Sequence, residues 1–405
     1  MKRYTITVVI SALFVLLPNL MTGQQREAFL EQVFLNHPDI ESYNELLEAY
    51  RIEGLTGNHP APLRIGFGYY PGVPDEIGIK RTISASQAFE FPLSYIRRAD
   101  LNRDLFELNS IEVESAILAI LIEAKITAFD YIAASRRVEL LREKEAGYSD
   151  LRSGWNRMLE EGKVTQFDYN RLMLELSRTR SEIDLLEASK ESMMSDLNFY
   201  SGGNGHLLSG AGYPDYELPD LEMLLSEKRE SHPEFILHRQ EQITAQSDLQ
   251  LARALNMPAI EIGFNSEMVA GKRHTGPSVG LSVPLWTNRN KVRFAEARLS
   301  AAGVHAEAAT DRLAVRTESD YRYYSQLSES YDRLYGIYRE SGSDQPALRA
   351  VSEQAITITE YISHMDARYS ALETLVKLET EIMKLLVRLY DHRLLEKVIQ
   401  SSVNR

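Results

Sequence analysis

The sequence predicts a mainly α-helical protein with a small β part, arranged as two tandem copies of a helix–strand–strand–long helix–helix unit. Three observations carry this prediction: motifs that recur at a spacing of about 195 residues, short period-2 stretches at matching places, and long runs of helical period after each of them. The chain has 405 residues, of which 44% are hydrophobic and 25% charged, values ordinary for an ordered protein. Cysteine is absent, which excludes disulfide staples, thiolate metal sites, a cysteine nucleophile and a lipid anchor on an N-terminal cysteine. The formal charge of −13 argues against nucleic acid as a bulk partner. An acidic pathway for cations and a solvated acidic surface both account for that charge.

The first segment reads as an address. Lys2 and Arg3 form a basic n-region, Ile6 to Leu17 is apolar, and Pro18 to Gly23 turns small and polar, so residues 1–23 are expected to be a secretory signal peptide. No later apolar run approaches the ~20 residues that a spanning helix needs. An exported chain of this kind crosses a membrane, if at all, with β-strands.

His37-Pro38-Asp39 recurs as His232-Pro233-Glu234, 195 residues on. Phe91-Pro92-Leu93 recurs as Val283-Pro284-Leu285, 192 residues on, and Val164-Thr165-Gln166-Phe167-Asp168 as Ile362-Ser363-His364-Met365-Asp366, 198 residues on. The expected organisation is a first repeat over 24–200, with strands near 63–71 and 80–92 and a helical hairpin over 93–200. A Gly- and Pro-rich connector over 201–219 follows. The second repeat covers 220–405, with strands near 259–269 and 278–286 and a hairpin over 287–400.

Each copy opens on a helix, Pro38 to Ile52 and Pro233 to Leu255, where proline at the first helical position costs no hydrogen bond. Then Ile65, Phe67 and Tyr69 alternate with Arg64, Gly66 and Gly68. Ile260, Ile262 and Phe264 do the same in the second copy, as do Val279, Leu281 and Val283. Turn-rich residues, Pro71 to Asp75 and Gly271 to Pro277, are expected to join each pair. An apolar face opposite a small or polar one suits strands with lipid outside and water inside, and it equally suits a half-buried soluble sheet. Two hairpins cannot close a barrel, so in the first case the edges are met by other copies of the chain.

The long runs follow. Leu93 to Glu161 carries its stripe at Ile117, Leu121, Ala124 and Ala128, and the returning helix at Leu172, Leu176, Ile183, Leu186 and Leu197. Ala371, Leu375, Leu378, Ile382, Leu385 and Leu389 form a coiled-coil seam. Ser341 to Pro346 should interrupt the second long helix.

With two copies, paired strands, Pro-Leu exits and the Gly162-Lys163-Val164-Thr165-Gln166-Phe167-Asp168 hairpin tip, the sequence resembles the TolC-like outer-membrane efflux family over essentially the whole mature chain. The resemblance implies a homotrimer whose subunits each add four strands to one 12-stranded transmembrane β-barrel, continued into the periplasm by an α-helical barrel. It implies a Gram-negative outer-membrane location and a passive exit duct, not an enzyme and without cofactors. Its partners would be a periplasmic adaptor (membrane fusion) protein and an inner-membrane pump, of RND type. The compact length and the early His-Pro motif look most like the heavy-metal resistance (cobalt-zinc-cadmium) branch, with metal cations as cargo. Multidrug efflux, type I secretion and a soluble periplasmic coiled-coil scaffold are the alternatives.

At the tips, Thr165 with Asp168 and Ser363 with Asp366 read as helix starts. The resemblance adds a cation-selective constriction at Asp366, with Asp168 at the other tip as the second candidate, and adaptor docking at Gly162, Val164, Thr165, Ile362 and Ser363. Trp286, Tyr69 and Phe91 suit the membrane interface. Arg97, Arg98, Arg289 and Arg293 follow the strand exits, where cations oppose the helix dipole, and lipid phosphates would explain them. His37 and His232 read as helix-entry residues. No metal-ligand spacing occurs, so no metal centre is expected beyond a transit contact at His364.

Overall fold

The computed structural model describes residues 28–398 except 163, 209–212, 214–219, 270, 287, 342–344, 354 and 396. The expected signal peptide, 1–23, lies outside the described residues. The chain divides into two compact units, one of Met1–Ser42, Ala116–Lys228 and Ala314–Arg405, the other of Tyr43–Ser115 and Arg229–Leu313.

Helix α1 (Pro38–Glu53) leads to strands β1 (Arg64–Pro71) and β2 (Ile79–Phe89), then to helices α2 (Pro92–Glu160) and α3 (Gln166–Ser201). Next come α4 (Leu221–Ser231), α5 (Pro233–Ala254), β3 (Ala259–Val269) and β4 (Lys272–Ser282). The chain continues as α6 (Arg289–Glu340), α7 (Gln345–Ser352) and α8 (Ile358–Leu389). No helix among the described residues is long and apolar enough to cross a membrane.

The second unit holds one antiparallel sheet in the order β1-β2-β3-β4. Its fourth strand differs from expectation. Lys272–Ser282 is strand, where the sequence suggested a loop up to Pro277 and a strand near 278–286. Lys272 to Pro277 carries no alternation of hydropathy, yet Val269 pairs with Lys272 across a two-residue connection that includes Gly271 at φ 82. A turn this tight passes the ladder straight into the next strand. Pro277, which has no N–H to give a ladder, lies on β4, the strand with one partner in the single chain. On the other strand pair, Gln87 spends its amide on the Ala61 carbonyl, 3.1 Å away, which accounts for a polar side chain on the apolar face. Behind the strands, Leu249, Ala252 and Ala295 pack α5 against α6.

The first unit is helical. Ile117, Leu121, Ala124 and Ala128 of α2 are all buried, as are Leu375, Ile382, Leu385 and Leu389 of α8, so the stripes read from the sequence are core. A core at the helix turns joins Tyr148, Trp155, Leu172, Leu176, Val351, Ile358, Tyr361, Ile362, Met365 and Tyr369. The second long helix stops at Glu340, and Pro346 sits in the first turn of α7, where a missing N–H is harmless. Within the connector, Tyr213 is buried, and its hydroxyl meets Thr380 Oγ1 at 2.8 Å and donates to the Phe129 carbonyl at 3.3 Å.

The two His-Pro motifs take the same local geometry. His232 is the N-cap of α5, with Nδ1 accepting from the Glu234 amide at 3.1 Å, and His37 Nδ1 accepts from the Asp39 amide at 3.2 Å.

Candidate functional site

Two regions carry candidate residues. In the sheet, cross-strand partners share a face, so the register sorts every side chain. One face gathers Ile65, Phe67 and Tyr69 of β1, Ile83 of β2, Ile260, Ile262 and Phe264 of β3, and Val279 and Leu281 of β4. All of these are exposed in the single chain. The opposite face gathers Gly66, Gly68, Thr82, Ser84, Ser86, Gly263, Asn265, Ser278 and Gly280, with an ion pair between Lys80 and Glu267. A water-soluble sheet buries its apolar side, and here that side is the open one. Small neighbours make the other side tight, since a Cβ at Gly263 would come within 3.0 Å of the Ala85 carbonyl oxygen. Strands β1 and β4 have one partner each, leaving an edge at both ends.

Trp286, four residues beyond the last strand, is 80% exposed, and Tyr69 and Phe91 are also exposed. Arg98 does not need a lipid partner: it donates to Glu90 Oε2 at 2.6 Å and stacks over Tyr95. Glu90, ahead of the helix, answers the dipole argument that made this cation look out of place. Arg97 reaches Asp100 at 3.3 Å, and Arg293 is exposed. The side chain of Arg289 lies outside the described residues.

The second region is the pair of helix turns in the first unit. After α2, Gly162 takes φ 68, a left-handed conformation that closes the helix at little cost to glycine. Thr165 then caps α3, accepting from the Asp168 amide at 3.1 Å, while its hydroxyl donates to Asp168 Oδ2 at 2.6 Å. Val164 and Tyr169, flanking the cap, both pack on the turn core. Gly162 and Thr165 are exposed and Val164 is half-buried.

The second turn departs from expectation. Helix α8 starts at Ile358, not near Ser363, and its cap is Thr357. The reason is that Thr357-Ile358-Thr359-Glu360 carries the same start signature six residues earlier and completes it. Glu360 Oε2 accepts from the Thr357 amide at 2.7 Å while the Glu360 amide donates to Thr357 Oγ1 at 3.2 Å. These hydrogen bonds, the backbone one first, hold the Glu360 carboxyl below its ordinary range. Ile356 and Tyr361 flank this cap as Val164 and Tyr169 flank the first. Thr165 and Thr357 therefore correspond, 192 residues apart, the same interval that separates Pro92 from Pro284.

Ile362, Ser363, His364 and Asp366 consequently lie within α8. Ile362 is 1% exposed and belongs to the core, so it stands behind any docking surface, whereas Ser363 and His364 are exposed. Asp366 accepts from Lys144 Nζ at 2.7 Å and from the Tyr148 hydroxyl at 3.2 Å, with Arg178 3.9 Å away. Burial first, and then this carboxylate, push the Tyr148 phenol above its ordinary pKa. The Ser363–Asp366 pair is thus not a helix start; its acid is anchored to α2.

One group was not legible from spacing. His238 and Glu241 on α5 meet His305 on α6, 64 residues beyond Glu241, with donor atoms all within 4.8 Å of one another. An i,i+3 His–Glu pair alone is no metal signature, and its third member lies far along the chain.

A small sheet whose greasy face is open, together with long helical hairpins, is the fold seen in solved structures of outer-membrane channels. Solved structures of such proteins match the chain almost end to end. The outer-membrane channel OprN is 16% identical, covering 91% of this chain and 89% of its own, at a TM-score of 0.76. The outer membrane protein VceC from Vibrio cholerae is 12% identical, covering 91% and 96%, at 0.75. The open-state MtrE outer membrane channel from Neisseria gonorrhoeae is 14% identical, covering 91% and 88%, at 0.71. No protein-family model matches the sequence, and no curated protein matches it. The likeness is one of fold.

Proposed function

We propose that the chain is one subunit of a homotrimeric outer-membrane channel of the TolC-like kind, the exit duct of a tripartite efflux system. The carrying observation is the sheet: an exposed apolar face, a polar and glycine-rich opposite face, and two edges left to be paired. Three copies in a ring give twelve strands without an edge, with the apolar face in lipid and the small face toward water. Exposed apolar residues on the helices support lateral packing between copies: Leu174, Leu185 and Phe199 share one face of α3, and Val304, Val315 and Ile337 one face of α6. The location that follows is the outer membrane of a Gram-negative cell, with helices reaching into the periplasm.

The tandem organisation is part of the proposal, as repeats over 24–200 and 220–405 joined by 201–219. Equivalent caps at His37 and His232 and at Thr165 and Thr357 support it. The turn at Gly162, Val164 and Thr165, with Ser363 on the exposed side of α8, is the surface proposed for a periplasmic adaptor, beneath an inner-membrane pump of RND type. Asp168 is the exposed-side carboxylate proposed for the constriction, with Asp366 set back against Lys144. Metal cations are the cargo class we assign, on the compact length alone, which resembles that of heavy-metal resistance components. The His-Pro motifs, being helix caps, say nothing about cargo.

The test is assembly and conduction. Purified protein should run as a trimer in detergent by light scattering, shift on gels with heating, and form pores in planar bilayers whose leak rises in Asp168→Ala. A monodisperse monomer stable without detergent overturns the proposal. Metal sensitivity of a deletion strain reads the cargo separately.

A further inference from the structure

We propose that His238, Glu241 and His305 form a binding site for one divalent transition-metal ion, zinc being the natural occupant, which staples α5 to α6. His238 Nδ1 lies 3.0 Å from Glu241 Oε2, and His305 Nδ1 lies 3.6 Å from the same oxygen. In a tetrahedral site with metal–ligand bonds of about 2.1 Å, neighbouring donor atoms stand about 3.4 Å apart. Those two separations bracket that value, and all three donor atoms lie within 4.8 Å of one another before any ion has drawn them together. The two imidazole rings meet edge to face with centroids 4.9 Å apart, and each presents its Nδ1 to the one carboxylate oxygen.

The donor set has the right chemistry. Two imidazoles and one carboxylate suit zinc, copper or nickel better than calcium or magnesium, which prefer all-oxygen shells. Three protein ligands leave a fourth position open. Glu241 and His305 also line a groove of about 590 Å³, bounded by Leu101, Leu105 and Ala301, which gives that position room for water. The nearest charged neighbours in the groove, Asp248 and Arg298, are paired with each other at 3.4 Å and so place no net repulsion on a cation. Helix pairing is already set by Leu249, Ala252 and Ala295, so the site is preformed on rigid elements. Zinc would need an unprotonated nitrogen from each ring, and the carboxylate would cancel half of its charge.

The site does not depend on what the channel carries. The test uses the full chain, purified in detergent and stripped with a chelator, titrated with Co²⁺ by visible absorption and then with Zn²⁺ in competition. The expected result is one equivalent per chain, with the intense d–d bands of four-coordinate cobalt, displaced by zinc. His305→Ala, which alters a half-exposed side chain and leaves the helix core intact, should weaken zinc binding at least tenfold, as should Glu241→Gln. Zinc should raise the thermal midpoint of the parent protein and not that of His305→Ala. No saturable binding, or an affinity unchanged in both variants, overturns the proposal.

Discussion

The anchored acid on α8 gives the sharpest test of how the helix turns are held. Lys144 is 5% exposed and its ammonium sits 2.7 Å from Asp366, with the rings of Tyr148 and Tyr369 at 5.6 and 5.8 Å. Replacing Asp366 with alanine leaves that ammonium with aromatic faces but no counter-charge, and deprives the Tyr148 hydroxyl of its acceptor. Two charges at this separation attract by about 6 kcal/mol at an effective dielectric near 20, most of which offsets desolvation. Removing one partner of a fully buried pair costs about 3–5 kcal/mol. Because the Asp366 side chain is 33% exposed, the expected loss is smaller, about 2–3 kcal/mol. Trp155 lies in the same core and reports it, in a Trp286→Phe background that silences the other tryptophan. At a slope of about 2 kcal/mol/M in urea, the midpoint of the Trp155 transition should fall by about 1–1.5 M. The double variant Lys144→Met, Asp366→Ala should recover at least half, since it removes the stranded charge as well. A single variant with an unmoved midpoint, or a double variant no better than the single, refutes the structural role. Altered conductance at an unmoved midpoint would instead leave Asp366 as a gate alone.

Two further outcomes are expected. Burial holds the His37 imidazole below its ordinary value of 6.5, in the neutral form whose Nδ1 caps α1. A lowered folded pKa means stability fully present above pH 6.5 and lost as pH falls from there toward the folded value, and His37→Asn, which keeps a capping oxygen, should flatten that part of a thermal-midpoint-versus-pH curve. On the sheet, Ile262→Lys places a charge on the apolar face and should cost about 2–4 kcal/mol if that face meets lipid, read as a lower temperature for the heat-induced gel shift. Ser84→Lys, on the other face, should leave that temperature within a few degrees; equal effects from both would mean that neither face sees lipid.

What the sequence disclosed follows from where its signals are local. Ile65, Phe67 and Tyr69, or Leu375, Ile382 and Leu389, announce their elements because hydrophobic period is written in adjacent residues, and the sheet face and helix core they form match it. The missed features are the ones decided by partners far along the chain. Lys272 to Pro277 has no strand pattern of its own and is strand because a two-residue turn lays it against β3. Thr357-Ile358-Thr359-Glu360 and Ser363-His364-Met365-Asp366 look alike as strings. Glu360 reaches the Thr357 amide, while Lys144, 222 residues away, claims Asp366. Arg98 looked unpartnered until Glu90 was placed beside it, and His305 meets Glu241 only once α5 and α6 pack.

The glycine and serine face of the sheet has a consequence for anything that passes through such a ring. Apart from Asn265 and the Lys80–Glu267 pair, much of that wall is glycine and serine, so over those stretches the backbone itself sets the calibre and travelling molecules find few places to adhere. Discrimination among solutes then falls to other stretches of the conduit, and a single bulky replacement at Gly66 or Gly263 would turn a smooth bore into a filter.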